Sequence, residues 1–124
     1  MSLRYRLATL KGEFEVNADL VIKIQNRELK DFDDVIKYLT DDIERCFRCI
    51  IPVDDTKPKR IQAKWKYTNK LLEGRSDSAK KILGKVRNGD YHDMQHIKDK
   101  MVMMRNKKVH KLNKMRNRLD LEPV

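Results

Sequence analysis

The last third of the chain contains a long run without glycine or proline, and this run limits the fold more than any other feature. No Gly or Pro occurs from Tyr91 until Pro123, and apolar side chains recur at spacings of three and four residues from Met94 to Leu119. This pattern predicts a helix over 91–119, roughly 40 Å long at a rise of roughly 1.5 Å per residue. We expect its end to project, and its apolar stripe to need a partner, either the preceding helix or a second chain.

A shorter helix precedes this run. Ser76 can cap a helix over 77–87, which the Asn-Gly pair at 88–89 would end. Asp90 can cap the long helix, with Asp93 in its first turn, where a carboxylate favours the positive end of the helix dipole. The pattern therefore predicts an αα-hairpin with a long last arm.

The first 24 residues favour strands instead. Apolar or β-branched residues alternate with polar ones over 5–9 and again over 13–16, and Lys11-Gly12 offers a tight turn between them. The β-branched residues of 20–24 favour a third strand, so we predict a small antiparallel β-meander. The segment 61–68 is ambiguous, and we expect a strand that runs into a short helical turn before Gly74 breaks the pattern.

Between these regions lies an amphipathic helix. Apolar residues from Phe32 to Ile50 recur every three or four positions, while acids including Asp41 and Asp42 fall on the other faces, and Pro52 ends the pattern. The fold class predicted from the sequence is therefore α+β: a small N-terminal antiparallel β-meander packed on this helix, followed by a C-terminal αα-hairpin with a long basic last helix. The 124 residues are expected to form a single domain, residues 1–124.

Charge is distributed unevenly along the chain. The net charge is +10, but residues 1–55 carry nine Lys or Arg against twelve Asp or Glu, whereas residues 56–124 carry twenty against seven. The first half is a mildly acidic β/α region and the second a strongly basic, mainly helical one. Segregated charge of this kind attracts polyanions, so we expect the second half to face the partner.

The last helix concentrates much of that positive charge on one flank. Placing residues at 100° per step groups five cations beside the apolar arc and puts Arg105 and Arg116 near its opposite edge. No acid occurs from 100 to 119 to pair with these cations, and Lys108 falls within the apolar seam, where no simple interpretation accounts for it. The flank consists of Lys100, Lys107, Lys111, Lys114 and Arg118.

A second candidate contact involves Trp65 and Tyr67, which Lys64 and Lys66 flank. Aromatic rings interleaved with cations are typical of surfaces that stack the bases of single strands, although a tryptophan in a small domain commonly belongs to the core.

These features predict a non-catalytic nucleic-acid-binding protein that contacts the phosphate backbone through the basic last helix, with a regulatory, architectural or ribonucleoprotein role. DNA and RNA remain equally open as partners. The helical hairpin has the outline of a DNA-binding helix-turn-helix, which keeps transcription regulation open, but any αα-hairpin shares that outline. The alternative is a protein–protein interaction or inhibitor module whose Met-rich helix docks on an acidic partner or pairs with its own copy. An anionic membrane is not expected, because the seam lacks an aromatic anchor.

Cysteine and histidine pairs raise the question of a metal. Cys46 and Cys49, with His92 and His96, have the ligand types and local spacings of a tetrahedral zinc site. Against zinc, 42 residues separate the pairs and Cys46 fits the core periodicity, so buried thiols without any cofactor are the simpler hypothesis.

The histidines could also extend the anion-binding surface. With Asp90 and Asp93 they could serve a metal-dependent nuclease, but Asp90 is better explained as a helix cap and Asp93 as a first-turn acid, so we expect no enzyme.

The compartment follows from what the sequence lacks. It has no apolar run of membrane-spanning length, its start lacks the apolar core of a signal peptide, and its two cysteines suit a reducing interior. We therefore expect an intracellular protein of the cytoplasm, nucleoid or nucleus.

Overall fold

The computed structural model describes residues 2–121, and all of the regular secondary structure in that range is helical. The arrangement resembles a four-helix bundle in which α1 contacts α3 and α4, and α3 also contacts α2. Side-chain contacts described below show that consecutive helices run in opposite directions, as in an up-down-up-down bundle. The helices are α1 Leu3–Gln25, α2 Phe32–Cys49, α3 Lys59–Arg87 and α4 Met94–Arg118.

The predicted β-meander, and with it the α+β class, is wrong, because residues 2–25 contain the helix α1 and no strand. Two of the positions on its buried side, Gly12 and Asn17, are not apolar. They interrupt the apolar pattern, so the remaining apolar residues alternate locally as in a strand. The buried side itself has helical spacing and comprises Leu7, Ala8, Gly12, Val16, Asn17, Leu20 and Val21.

The amphipathic helix predicted after this region is confirmed as α2. Asp31 caps it by accepting a hydrogen bond from the Asp34 backbone N–H at 2.9 Å. Its core side contains Leu39 and Cys46, as the periodicity indicated. Asp42 is the exception, because the sequence placed it on the outer faces and it is only 3% exposed.

The strand predicted over 61–68 and the separate helix predicted over 77–87 are also wrong, because both segments belong to the continuous helix α3. Gly74 does not end this helix. It lies where α3 crosses α1, and a Cβ there would collide with the carbonyl oxygen of Thr9. A Cβ on Gly12 of α1 would likewise collide with the carbonyl oxygen of Leu71. The two glycines therefore allow the backbones to touch, which a larger residue would prevent.

α3 and α4 follow one another in opposite directions, as the predicted hairpin required, but α4 packs mainly on α1, and its cap differs from the expectation. Asp93, not Asp90, is the N-cap of α4 and accepts the His96 backbone N–H at 2.8 Å. Gly89 occupies the left-handed region at a φ of 75°, which lets the chain turn after α3.

The end of α4 does not project as the sequence predicted. Leu112 is 1% exposed, and residues 111–118 line a groove with the first turns of α1. The apolar stripe of α4 therefore finds its partner within the chain. A core shared by all of the helices includes Val16, Leu20, Val35, Leu39, Ala79, Ile82, Ile97 and Met101. Within residues 2–121, no helix is both long enough and apolar enough to cross a membrane.

Candidate nucleic-acid interface

A buried polar contact sets the register of α4 on α1. Asn17 is fully buried, and its Nδ2 donates to Met101 Sδ at 3.4 Å. Lys108 Nζ donates to Asn17 Oδ1 at 2.8 Å. This bond explains why a lysine lies within the apolar seam of α4. Burial lowers the pKa of Lys108, and the charge of Glu13 acts in the opposite direction.

This register brings the C-terminal half of α4 beside the first turns of α1, with the two helices antiparallel. A groove of about 560 Å³ lies between them. Arg6 of α1 and Lys111, Lys114 and Arg118 of α4 line this groove, and Glu13 contributes its one carboxylate among the described residues. Three members of the predicted basic flank therefore share this groove with Arg6, a cation that the sequence did not single out.

A second groove, of about 490 Å³, lies where the first turns of α1 and α3 meet the end of α4. None of the described residues that line it is acidic. Its apolar lining includes the buried Leu7 and the exposed Ala63, and two aromatic rings and four cations complete the lining. The rings are Tyr5 and Tyr67, and the cations are Arg4, Arg60, Lys64 and Arg116.

The two grooves together form one basic surface, which we call the basic end. Its eight cations come from three helices: Arg4, Arg6, Arg60, Lys64, Lys111, Lys114, Arg116 and Arg118. No carboxylate of residues 2–121 forms an ion pair with Arg4, Arg6, Arg60, Lys64, Lys111, Lys114 or Arg118. The N-termini of α1 and α3 bring partial positive charge to this end of the bundle and the C-terminus of α4 brings partial negative charge, so the eight cationic side chains set the sign of the field. The electrostatic field here therefore favours a polyanion.

Not every predicted contact residue joins the basic end. Lys64 and Lys66 were expected on one face of a strand, but in α3 they lie on different sides, and Lys66 lines another groove with Asp54. Trp65 lines that groove too, so it is separate from Tyr67. Lys100 and Lys107 are exposed on α4 farther from the end, and Arg105 donates to the Asn106 side chain at 3.4 Å. These side chains could extend the surface but do not line either groove.

Three contributors were missed from the sequence: Arg4, Arg6 and Arg60. The first two lie in a segment predicted as a strand, and Arg60 lies in one predicted as a loop. A helical interpretation of both segments would have indicated that they begin with cations. Even so, it would not have shown that α1 and α3 start at the same end of the bundle.

A second charged region, here called the Arg75 cluster, has Arg75 and Asp42 buried and Glu15 and Asp19 partly exposed. The Arg75 guanidinium of α3 donates to Glu15 and Asp19 of α1 and to Asp42 of α2, each at 3.1 Å. Arg45 also bonds to the Asp42 carboxylate. Burial by itself would lower the pKa of Arg75, but the hydrogen bond and charge of Asp42, and then those of Asp19, raise it above its usual value. The cluster ties three helices together.

The same cluster determines the environment of Tyr38 and Cys46. The Tyr38 hydroxyl donates to Asp19 Oδ2 at 3.4 Å, and burial, followed by the charges of Asp19 and Asp42, raises the pKa of Tyr38 to about 12. Burial also raises the pKa of the Cys46 thiol, and the charge of Asp42 adds to this. A thiol with a raised pKa is a weak nucleophile. Cys49, in contrast, is exposed.

The residues considered for zinc occupy two separate environments. Cys46 contacts Asp42 within the Arg75 cluster, while His92 and His96 stack at 4.8 Å between ring centroids at the start of α4. His96 Nδ1 accepts the backbone N–H of His92 at 2.9 Å. Among the described residues, no three or more His, Cys, Asp or Glu side chains are grouped so as to hold a metal ion.

Comparisons with protein-family models, with curated proteins and with solved structures give no match to this chain.

Proposed function

We propose that this chain is a non-catalytic nucleic-acid-binding protein that holds the phosphate backbone at its basic end. The observation that supports this most strongly is the convergence of eight cations from three helices on two adjoining grooves lined by a single described carboxylate. Like charges placed together repel and lower the stability of the free protein. A polyanion would remove that repulsion, and its counterions would be released on binding.

The geometry favours backbone contact over base-specific reading. Lysine and arginine at the ends of helices position a nucleic acid by its phosphates, whereas sequence is read by side chains that reach base edges. The amide side chains of α4, such as Asn106 and Asn117, are exposed but dispersed along it. We therefore propose weak sequence preference, and a partner of this kind would imply a cellular compartment that contains nucleic acid.

The rival function, docking of α4 on an acidic protein or on its own copy, has less support for its apolar part. Met101 and Leu112 of the Met-rich seam are buried against the rest of the chain, and the exposed Met103 lies on the opposite face of α4, outside the seam. Self-association through that seam would require α4 to leave α1. Docking by charge alone onto an acidic protein remains an alternative. The following experiment distinguishes it from nucleic-acid binding.

The test measures binding of labelled duplex DNA, single-stranded DNA and RNA by fluorescence anisotropy over a range of salt concentrations. The variant is Lys111→Gln/Lys114→Gln/Arg118→Gln, which removes three cations of the basic end. If each contacts a phosphate, the slope of log affinity against log salt should become shallower by about three, with weaker binding to every sequence.

The matched control is Lys37→Gln/Lys80→Gln/Lys85→Gln, which removes the same charge from exposed positions on α2 and α3 outside the basic end. It should retain most of the affinity. Equal losses in both variants would mean that net charge alone attracts the nucleic acid. No binding by the wild type at low salt would refute the proposal and leave an acidic protein as the partner to test.

A further inference from the structure

The groove between α1, α3 and the end of α4 differs chemically from the rest of the basic end. The α1/α4 groove contains a carboxylate but no aromatic ring, whereas this groove has Tyr5 and Tyr67 and no described acid. Both tyrosines are half-buried, so each keeps part of its side chain accessible. A surface that only held phosphates would need cations and no rings.

The placement of cations and rings follows from the helices. On α3, Arg60, Lys64 and Tyr67 follow one another at spacings of four and three residues, which puts them on one side of the helix. On α1, Arg4 and Tyr5 are neighbours in the first turns. The rings are therefore bordered by cations from two helices, with Arg116 of α4 on the same groove.

The size of the groove also fits a small planar group. At about 490 Å³ this open surface groove has room for a base. A tyrosine ring next to cations is the arrangement by which single-strand-binding proteins stack a base and hold the adjoining phosphates. A base in a duplex is already stacked and paired, so it cannot enter such a groove without leaving its partner.

We propose that this groove receives an unpaired base of a single-stranded nucleic acid, which stacks on Tyr5 or Tyr67 while the flanking phosphates bind the surrounding cations. This inference rests on the proposed function of the basic end and adds to it a preference for single strands over duplex. Stacking on an aromatic ring is tolerant of base identity, because every base has a π-face. The preference should therefore not depend on sequence.

The experiment compares three probes of equal length and the same label: a single strand, the corresponding duplex, and an abasic strand that keeps the phosphates but lacks the bases. The variant is Tyr5→Leu/Tyr67→Leu, which removes both rings but keeps apolar side chains. Phe47→Leu is the matched control, because Phe47 is 79% exposed and lies beside Glu44, Glu73 and Asp77 in another groove.

The wild type should bind the single strand about tenfold more tightly than the abasic strand, and the tyrosine variant should lose most of that difference. Duplex affinity should stay unchanged in the tyrosine variant, and Phe47→Leu should behave as the wild type with all three probes. Thermal unfolding of each variant establishes that it is folded at the assay temperature. If the double variant is unfolded, Tyr67→Leu alone takes its place.

Equal wild-type affinity for the base-bearing and abasic strands would overturn the inference, as would a tyrosine variant that keeps the full difference. The lysine and arginine variant described above separates this failure from failure of the proposed function. If that variant weakens binding and the tyrosine variant does not, only the base-binding groove is wrong. If neither the wild type nor any variant binds nucleic acid, both proposals fail.

Discussion

The Arg75 cluster and the basic end are both rich in charge, but they serve opposite purposes. In the cluster, one buried guanidinium meets three carboxylates from two other helices, so nearly all of its charge is neutralised within the chain. At the basic end, eight cations share their grooves with one described carboxylate. The comparison shows that the role of a charged region depends less on how many charges it contains than on whether the fold pairs them with charges of opposite sign.

A charge without an ion-pair partner among the described residues, such as Arg6 at the basic end, has different consequences in the interior and on the surface. In the interior, removing one member of an ion cluster leaves the others desolvated and uncompensated, which destabilises the fold. On the surface, water and salt screen each cation, so a single one contributes little to stability. Substitutions should therefore affect the stability of the protein at the cluster and its binding at the basic end.

The largest effect is expected for Arg75→Met, which leaves Glu15, Asp19 and Asp42 without their shared cation. The free energy of unfolding should fall by about 3–5 kcal/mol. Urea denaturation followed by circular dichroism at 222 nm, the helix band, measures this loss. Urea is preferable because guanidinium is itself a salt that would screen the charges.

Lys70→Met is the control for that prediction, because Lys70 pairs with Glu73 on the same helix and both side chains are partly exposed. The free energy of unfolding should fall by less than about 1 kcal/mol in this variant. Losses of equal size at the two positions would contradict the view that burial distinguishes the cluster from surface pairs.

An intermediate effect is expected for Gly74→Ala, next to Arg75 in α3. Its new methyl group would collide with the Thr9 carbonyl oxygen and force α1 and α3 apart, which would also loosen the bonds of Arg75. The unfolding free energy should fall by about 1–3 kcal/mol, as for overpacked sites in general. The same urea titration measures it.

Gly84→Ala tests the reason for this loss. Gly84 lies on the same helix, and a Cβ there would meet no atom within 4 Å. Alanine should stabilise the protein at this position by about 0.5–1 kcal/mol, because glycine is a poor helix former. Destabilisation by both substitutions would show that the close crossing of α1 and α3 is not what constrains Gly74.

The smallest effect on stability is expected at the basic end. Lys111→Gln/Lys114→Gln/Arg118→Gln, the variant that should weaken nucleic-acid binding, should change the unfolding free energy by no more than about 0.5 kcal/mol per substituted residue. Relief of like-charge repulsion should be offset in part by the loss of Arg118 from the last turn of α4, where a cation favours the helix dipole. A loss comparable to that of Arg75→Met would mean that these cations support the fold.

The sequence predicted the elements whose apolar residues follow a regular helical spacing. That is why α2 and the helical character of α4 were recovered, and why Cys46 was correctly assigned to the core. The prediction from apolar spacing failed for α1 because Gly12 and Asn17 occupy buried positions without being apolar. The roles of these two residues depend on other helices. Gly12 makes room for α3, and Asn17 bonds to Met101 and Lys108.

The candidate surface was likewise predicted only in part. Lys111, Lys114 and Arg118 share a flank because of helical geometry alone, and the sequence is enough to place them together. Arg4, Arg6 and Arg60 join them only because α1 and α3 begin at the end of the bundle where α4 finishes. Lys66 was grouped with Lys64 by an incorrect strand assignment, and the helix separates the two.

By itself, the sequence determined the segregation of charge, the helix α2 and the basic flank of α4, because each depends on residues close together along the chain. Tertiary structure alone decided that Asp42 is buried against Arg75, that Lys108 reaches Asn17, and that cations of three helices surround a groove with two tyrosines. The physical reason is that helical periodicity is a local property. Which faces meet depends instead on close packing between segments far apart in sequence.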